Sequence, residues 1–422
     1  MHIRYILQQR EVKYKDINYP FLECLFSPLR TILNWVTTMI RITIIFILII
    51  SLITHSCRDE YFPEIDKYEN ILTVDGTISN DLGPYEVRLS RSSPVYKPEL
   101  KPYVGAQVIV IDDLGNKEYF SEIEPGLHRS SPEGMQGVVG RKYKIVINTP
   151  DEEIYESDFQ EIIDPVEIDR VYEEIEYRQG EEPWLDYHGY QFYVDAKQAE
   201  SDTTFLLWKL KATYEYHSDF RIQYYFDGQL NLFPDNDSLY YCWANDNITS
   251  NLTMSTVGLL TPVITRLPLN FVSNQGRKLS VTYSLLVKQY TINETAFAYY
   301  SQIQSISSEQ GLLYSQQPYQ VKGNIVNRSE PDEPVLGYFL VGGKEEKRVF
   351  VGPPTGVGVH YQTCEISGAN YEAYRRIRWT DPRQWPLYVN IDLNYTPVLM
   401  HQACVDCRQK GGTIIKPDYW ED

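Results

Sequence analysis

Few side chains in this sequence combine a reactive type with an informative spacing, and the cysteines come first. Cys57 follows Thr54-His55-Ser56 at the end of an apolar run. In exported bacterial precursors a peptidase cuts before such a cysteine, whose thiol and new amino group then carry acyl chains. Cys57 is therefore the expected lipidation site. Beyond it lie Cys242, Cys364, Cys404 and Cys407. Four cysteines outside the cytoplasm favour disulfides, with three possible connectivities. Cys404-Val405-Asp406-Cys407 also has CxxC spacing. Redox chemistry would place Cys404 at a helix N-terminus in a βαβ setting, but Gly411-Gly412 follow and helix signals are absent. A four-thiolate zinc site would recruit Cys242 and Cys364 over long, irregular spacings. The favoured arrangement is a short Cys404–Cys407 loop and a long-range Cys242–Cys364 bridge.

The other reactive types form no constellation. His128, His188, His217, His360 and His401 show no HExxH or other metal spacing. No G-x-S-x-G elbow occurs, and "VGPPTGVG" at 351–358 lacks the Lys-Ser/Thr of a phosphate loop. Asp151-Glu152-Glu153 lack the ligand ladder of a calcium loop. No catalytic, cofactor or metal site is expected, so the protein reads as non-enzymatic. An extracellular hydrolase using scattered carboxylates stays open as an alternative, since such pairs follow no sequence spacing. Tyr224, Tyr225, Phe226, Phe233, Tyr240, Tyr241 and Trp243 are either core or a contact surface.

The elements that would carry these groups begin with the N-terminal third. Between Met39 and Cys57 the only charge is Arg41, and Ile42 to Ile53 is apolar except for Thr43 and Ser51. That length suits a signal-peptide core and falls short of the roughly 20 residues that span a bilayer. Residues 39–56 are thus read as a lipoprotein signal peptide, with an uncleaved anchor helix from near Trp35 as the alternative. Residues 1–38 are read as a leader placed ahead of the true start. Residues 57–68 are read as an acidic tether.

Removing 1–56, with six Lys/Arg and three Asp/Glu, takes the net charge from −18 to −21. A chain this acidic does not bind nucleic acid through its overall field. The 43% apolar content suffices for a core.

Past the tether the pattern is mostly β. "NILTVDGTIS", "PYEVRLSRS", "AQVIVIDDLGNKEYF" and "RKYKIVINTPDEEIYESD" alternate apolar and polar residues between turn signals. Short strands so spaced predict a β-sandwich, placed at 69–160. A larger antiparallel β-rich domain with one or two short helices is expected over 161–422. Its strands include the alternating runs Leu206 to Tyr216 and Leu279 to Val287, with a loop-rich insert at 219–275. Thr291-Ile292-Asn293-Glu294 matches a capping box for a helix that Gly311 would stop, and 369–384 could hold another.

Several segments together resemble a known family. "NILTVDGTISNDLGPYEVRLSRSSP", "GAQVIVIDDLGN", "GVVGRKYKIVINTPDEEIYESD", "GNIVN", "VLGYFLVGG" and the ending "CVDCRQKGGTIIKPDYW" occur in this order. They resemble the Bacteroidota lipoproteins of domain of unknown function 4249, from Cys57 to Trp420. The resemblance implies a first domain like immunoglobulin or carboxypeptidase-regulatory sandwiches. It also implies an outer-membrane location, on the periplasmic face or cell surface, and a TonB-dependent receptor as partner in nutrient uptake. It carries no catalytic residues. Arg58-Asp59-Glu60-Tyr61-Phe62 resembles acidic surface-export signals of such lipoproteins. A structural or adhesion protein is the further alternative.

Overall fold

The computed structural model describes Trp35, Met39 and residues 70–93, 99–180, 186–198, 203–309, 321–366 and 368–420. The expected leader, signal peptide and tether, including Cys57, otherwise lie outside the described residues, as does Gly311. Residues 68–422 form one compact unit. Among the described residues no helix is long and apolar enough to cross a membrane.

The fold is mostly β. Period-2 alternation sets the first layer: in the strand Leu72–Ile78, Leu72, Val74 and Ile78 are buried, while Asp75 faces out. It pairs antiparallel with Glu86–Arg91, whose Val87 and Leu89 join the same core. The second layer contains Gln107–Asp112, Lys142–Asn148 and Ile154–Ser157. The strand Lys117–Glu124 connects the layers. Its first half pairs with Gln107–Asp112 and its second half with Leu127–Arg129, where the register shifts between Glu122 and Glu124. A bulge there lets one sheet fold over a single core, shared by Leu72, Val87, Val108, Ile145 and Tyr155.

Two strands of this sandwich come from far along the chain. Ile325–Asn327 pairs with Ile154–Ser157, and Leu336–Val341 pairs in parallel with Leu72–Ile78. A division at residue 160 therefore leaves out part of the first sandwich. At the parallel seam Gly337 has φ +86°, and a Cβ there would sit 1.9 Å from the Val74 carbonyl oxygen. Only glycine permits that approach.

A second sandwich packs Ile168–Gln179, Asp186–Ala196 and Ile264–Ser273 against a larger sheet. That sheet contains Phe205–His217, Tyr241–Asp246, Leu252–Ser255, Thr282–Ile292 and Gly343–Val351. Leu206, Trp208 and Leu210 face its core, as their alternation predicts. The buried Trp208 indole donates to Gln289 Oε1 at 2.9 Å, and Gln289 Nε2 donates to the Val166 carbonyl at 2.6 Å. No partner in that chain of bonds is left unmade, which keeps the buried polar groups inexpensive.

The helix Glu294–Glu309 begins where the sequence places it, but with a different cap. Asn293 Oδ1 accepts from Ala296 N at 2.8 Å, whereas Thr291 lies in a strand and accepts from Val166 N at 2.9 Å. Ala296 and Tyr300 bury against Leu207, Tyr290 and Leu340. A second helix, Gly368–Arg375, overlaps the expected 369–384 region and is followed by 3₁₀ turns.

Candidate functional site

The loop-rich insert and the C-terminal segment build a small sheet together. Tyr224–Phe226 pairs with Leu230–Leu232 and with Leu387–Ile391, which pairs with Pro397–Met400. A buried asparagine locks the insert to the C-terminal strands: Asn390 Oδ1 accepts from Gln223 N at 2.9 Å, and its Nδ2 donates to the Arg221 carbonyl at 2.8 Å. Gln223 Oε1 answers by accepting from Ile391 N at 2.9 Å.

All four cysteines beyond Cys57 are oxidised, with a connectivity different from the expected one. Cys242 pairs with Cys407 and Cys364 with Cys404. The CxxC does not close on itself, and the zinc and redox readings lose their thiols. Contrary to the sequence reading, Cys404 lies in a short helix, Gln402–Val405, and Cys407 begins a 3₁₀ turn. The extended Asp406 between them delivers the two into different apolar clusters. Cys404 packs with Ile222, Tyr388 and Val405, while Cys407 packs with Tyr216 and Cys242.

Asp219 fastens this frame electrostatically. Its carboxylate accepts from Arg277 Nη2 at 2.5 Å, Lys410 Nζ at 3.0 Å and Cys364 N at 3.1 Å. Burial opposes its charge, but the two cations and the backbone N–H hold its carboxyl below the ordinary range. Arg277 also donates to the carbonyls of His217 and Gln362 and lies 4.2 Å from the Tyr361 ring centre.

On this frame lie two adjoining hollows, of about 780 and 600 Å³, which share Gln223, Ile391, Asp392 and Leu393. The ridge between them is a tight turn. Asp392 Oδ1 accepts from Asn394 N and Thr396 N, both at 2.8 Å, and Tyr395 takes a left-handed φ of 59°. The turn holds Leu393 fully exposed and Tyr395 89% exposed. Nearby Leu232 is 72% exposed. The walls carry Phe220, Ile366 and Tyr240, with Arg221 stacked 3.9 Å from the Tyr240 ring centre.

This arrangement suits binding. Its apolar tips gain by being covered, and its backbone and amide groups fix orientation. Asp219 is tied up by two cations, so it is poorly placed for proton transfer. Among the described residues no group of three or more His, Cys, Asp or Glu is placed to hold a metal.

The sequence pointed to this region but to other side chains. Phe226 is buried, and Tyr224, Tyr225, Phe233, Tyr240, Tyr241 and Trp243 are half-buried frame. Tyr225 meets Phe233 edge-on at 6.2 Å, and Phe233 meets Tyr388 at 5.9 Å. The exposed Leu393 and Tyr395 were not singled out. The signal for them was Asp392-x-Asn394-x-Thr396, an Asx-turn pattern carrying two large apolar residues.

Residues 58–348, more than half of the chain, match the family described as Domain of unknown function (DUF4249). The match ends before the C-terminal CxxC segment, one of the segments that carry the resemblance. No curated protein matches the chain.

Proposed function

The chain belongs to that family, and from this premise we propose that it is a lipid-anchored, non-enzymatic binding protein of the outer membrane. It would serve a TonB-dependent nutrient-uptake system by binding the receptor or its substrate. The observation that carries the binding role is the exposed Leu393–Tyr395 ridge between two hollows on a disulfide-braced frame. Exposed aromatic and aliphatic tips beside preformed hollows are the kind of groups that anchor a partner. The anchor role rests on the Met39–Cys57 layout and on a family match that begins at Arg58, the residue after Cys57. Two or more acyl chains give stable membrane attachment.

Affinity capture of a tagged chain from solubilised outer membrane tests this reading. A receptor barrel should co-purify, and Leu393→Asp with Tyr395→Ala should abolish its recovery. Mass spectrometry of the mature N-terminus should find acylated Cys57, and Cys57→Ala should release the protein from membranes. An unmodified Cys57, or a capture with no barrel at all, would sink the proposal.

A further inference from the structure

A second concave region lies on the outer face of the larger sheet, away from the ridge. Lys209 and Lys288 are direct register partners in antiparallel strands, so both project from the same face. Like charges directly opposite one another destabilise a strand pair. Lys211 follows two residues along the same strand, and Lys344 comes from the neighbouring strand. All four line a hollow of about 390 Å³ whose far wall is the first sandwich, including Asp75, Asp81 and Glu86.

The carboxylates here are largely committed. Asp81 and Glu346 both pair with Lys344, and Glu86 pairs with Arg129. Three of the four lysines are not. Among the described residues Lys288 and Lys211 have neither a hydrogen bond nor an ion pair, and Lys209 has only the rings of Tyr290 and Tyr300, at 5.9 and 5.5 Å. Burial and the neighbouring Lys344 and Lys211 charges push the Lys288 ammonium below its ordinary range, with Glu346 opposing them. A chain of net charge −18 thus gathers three uncommitted ammonium groups inside one concavity. Sheet packing would be better served by apolar residues there.

We infer that this cleft binds a compact multivalent oxyanion, the phosphate, sulfate or carboxylate groups of a small ligand. Lys209, Lys211 and Lys288 would supply the charge. Ammonium groups on flexible stems act as point charges that adapt to such anions. A second hollow, of about 450 Å³, shares Asp75, Lys209 and Leu210 with the first. It is lined by Ser250, Asn251 and Tyr299 and offers room for an uncharged, hydrogen-bonding body. The inference is independent of the partner surface proposed above, because no lining residue is common to the two sites.

Calorimetric titration of the intact chain with sodium phosphate, sodium sulfate and sodium citrate, at ionic strength matched with chloride, tests it. At least one probe should bind saturably, and the rank order separates phosphate or sulfate esters from carboxylates as the source. Lys288→Met and Lys209→Met should each weaken that binding roughly tenfold or more, the loss expected for a charge-assisted contact. Lys117→Met, on an exposed strand position elsewhere, should leave it unchanged. Without a probe, Lys288→Met should melt at the wild-type temperature or above. No saturable binding beyond chloride, equal affinity in Lys288→Met, or a lowered melting temperature in that variant would each overturn the inference.

Discussion

Replacing Asp219 by alanine should be among the most destabilising changes outside the two sandwich cores. The Asp219 side chain is 4% exposed, and its partners Arg277 and Lys410 are 15% and 22% exposed. Removing one partner of a buried charge pair leaves the other uncompensated, at a cost of about 3–5 kcal/mol. Asp219→Asn keeps an oxygen able to accept from Cys364 N but removes the charge, so about half that cost is expected. The sign with pH follows from the depressed carboxyl. Its folded value lies below the reference 3.8, so its stabilisation is complete above pH 3.8 and is lost as pH falls through the folded value. Urea unfolding followed by tryptophan fluorescence, at neutral pH and in steps below 3.8, reads both effects. A loss under about 1 kcal/mol at neutral pH would refute the reasoning, as would a wild-type-to-variant gap that persists unchanged into strong acid.

Three further outcomes follow from the same frame and from the tyrosines. Non-reducing peptide mapping should recover Cys242 linked to Cys407 and Cys364 linked to Cys404; a Cys404–Cys407 loop would contradict the structure. These bridges span separations of 165 and 40 residues, for which the chain-entropy relation gives upper values of about 5 and about 4 kcal/mol, so serine pairs at either bridge should lose stability visibly in denaturant. At high pH, burial pushes the Tyr290 and Tyr299 hydroxyls up to about 12, and Tyr155, Tyr283 and Tyr300 are raised as well. Raised values stabilise fully below the unfolded value of 10.0 and lose that contribution as pH climbs toward the folded ones, by about 2–3 kcal/mol for the buried Tyr290 alone. The urea midpoint should therefore fall between pH 10 and about 12, and a flat midpoint there would count against the tyrosine burial.

The sandwich strands were legible because their alternation is local. Leu72, Val74, Val87, Leu89, Tyr143, Ile145 and Ile147 each fall on the buried side their spacing predicts. The completion of the first sandwich was not legible. Ile325–Asn327 is three residues long, and the parallel partner of Leu72–Ile78 lies more than 250 residues away, so neither leaves a local mark. The cysteine pairing failed for a related reason. Proximity in sequence favours Cys404 with Cys407, but one helical turn followed by an extended residue separates their side chains into different clusters. At the ridge, the frame aromatics were conspicuous by composition, while Leu393 and Tyr395 gained their importance only from the turn that exposes them. The lysine cleft was invisible for want of register: Lys209 and Lys288 become neighbours only once their strands pair.

The two candidate sites stand differently with respect to the family. Every residue lining the lysine hollow lies between Asp75 and Lys344, inside the matched region. The ridge and much of the bowl around it come from Cys364 to Tyr395, beyond Arg348 where the match ends. The matched region therefore suffices to supply the residues of the cleft, whereas the bowl also requires the C-terminal segment and its Cys364–Cys404 bridge. The cleft is thus built wholly from the matched region, and the ridge draws on residues outside it. The continuous segment Leu336–Val351 bears on the first of these. It gives a strand to each sandwich in turn, through Gly342-Gly343, and brings Lys344 against Asp81 of the other sandwich. Anything that binds across the cleft thus touches both sandwiches at the seam that joins them, and its binding energy adds directly to the stability of that seam.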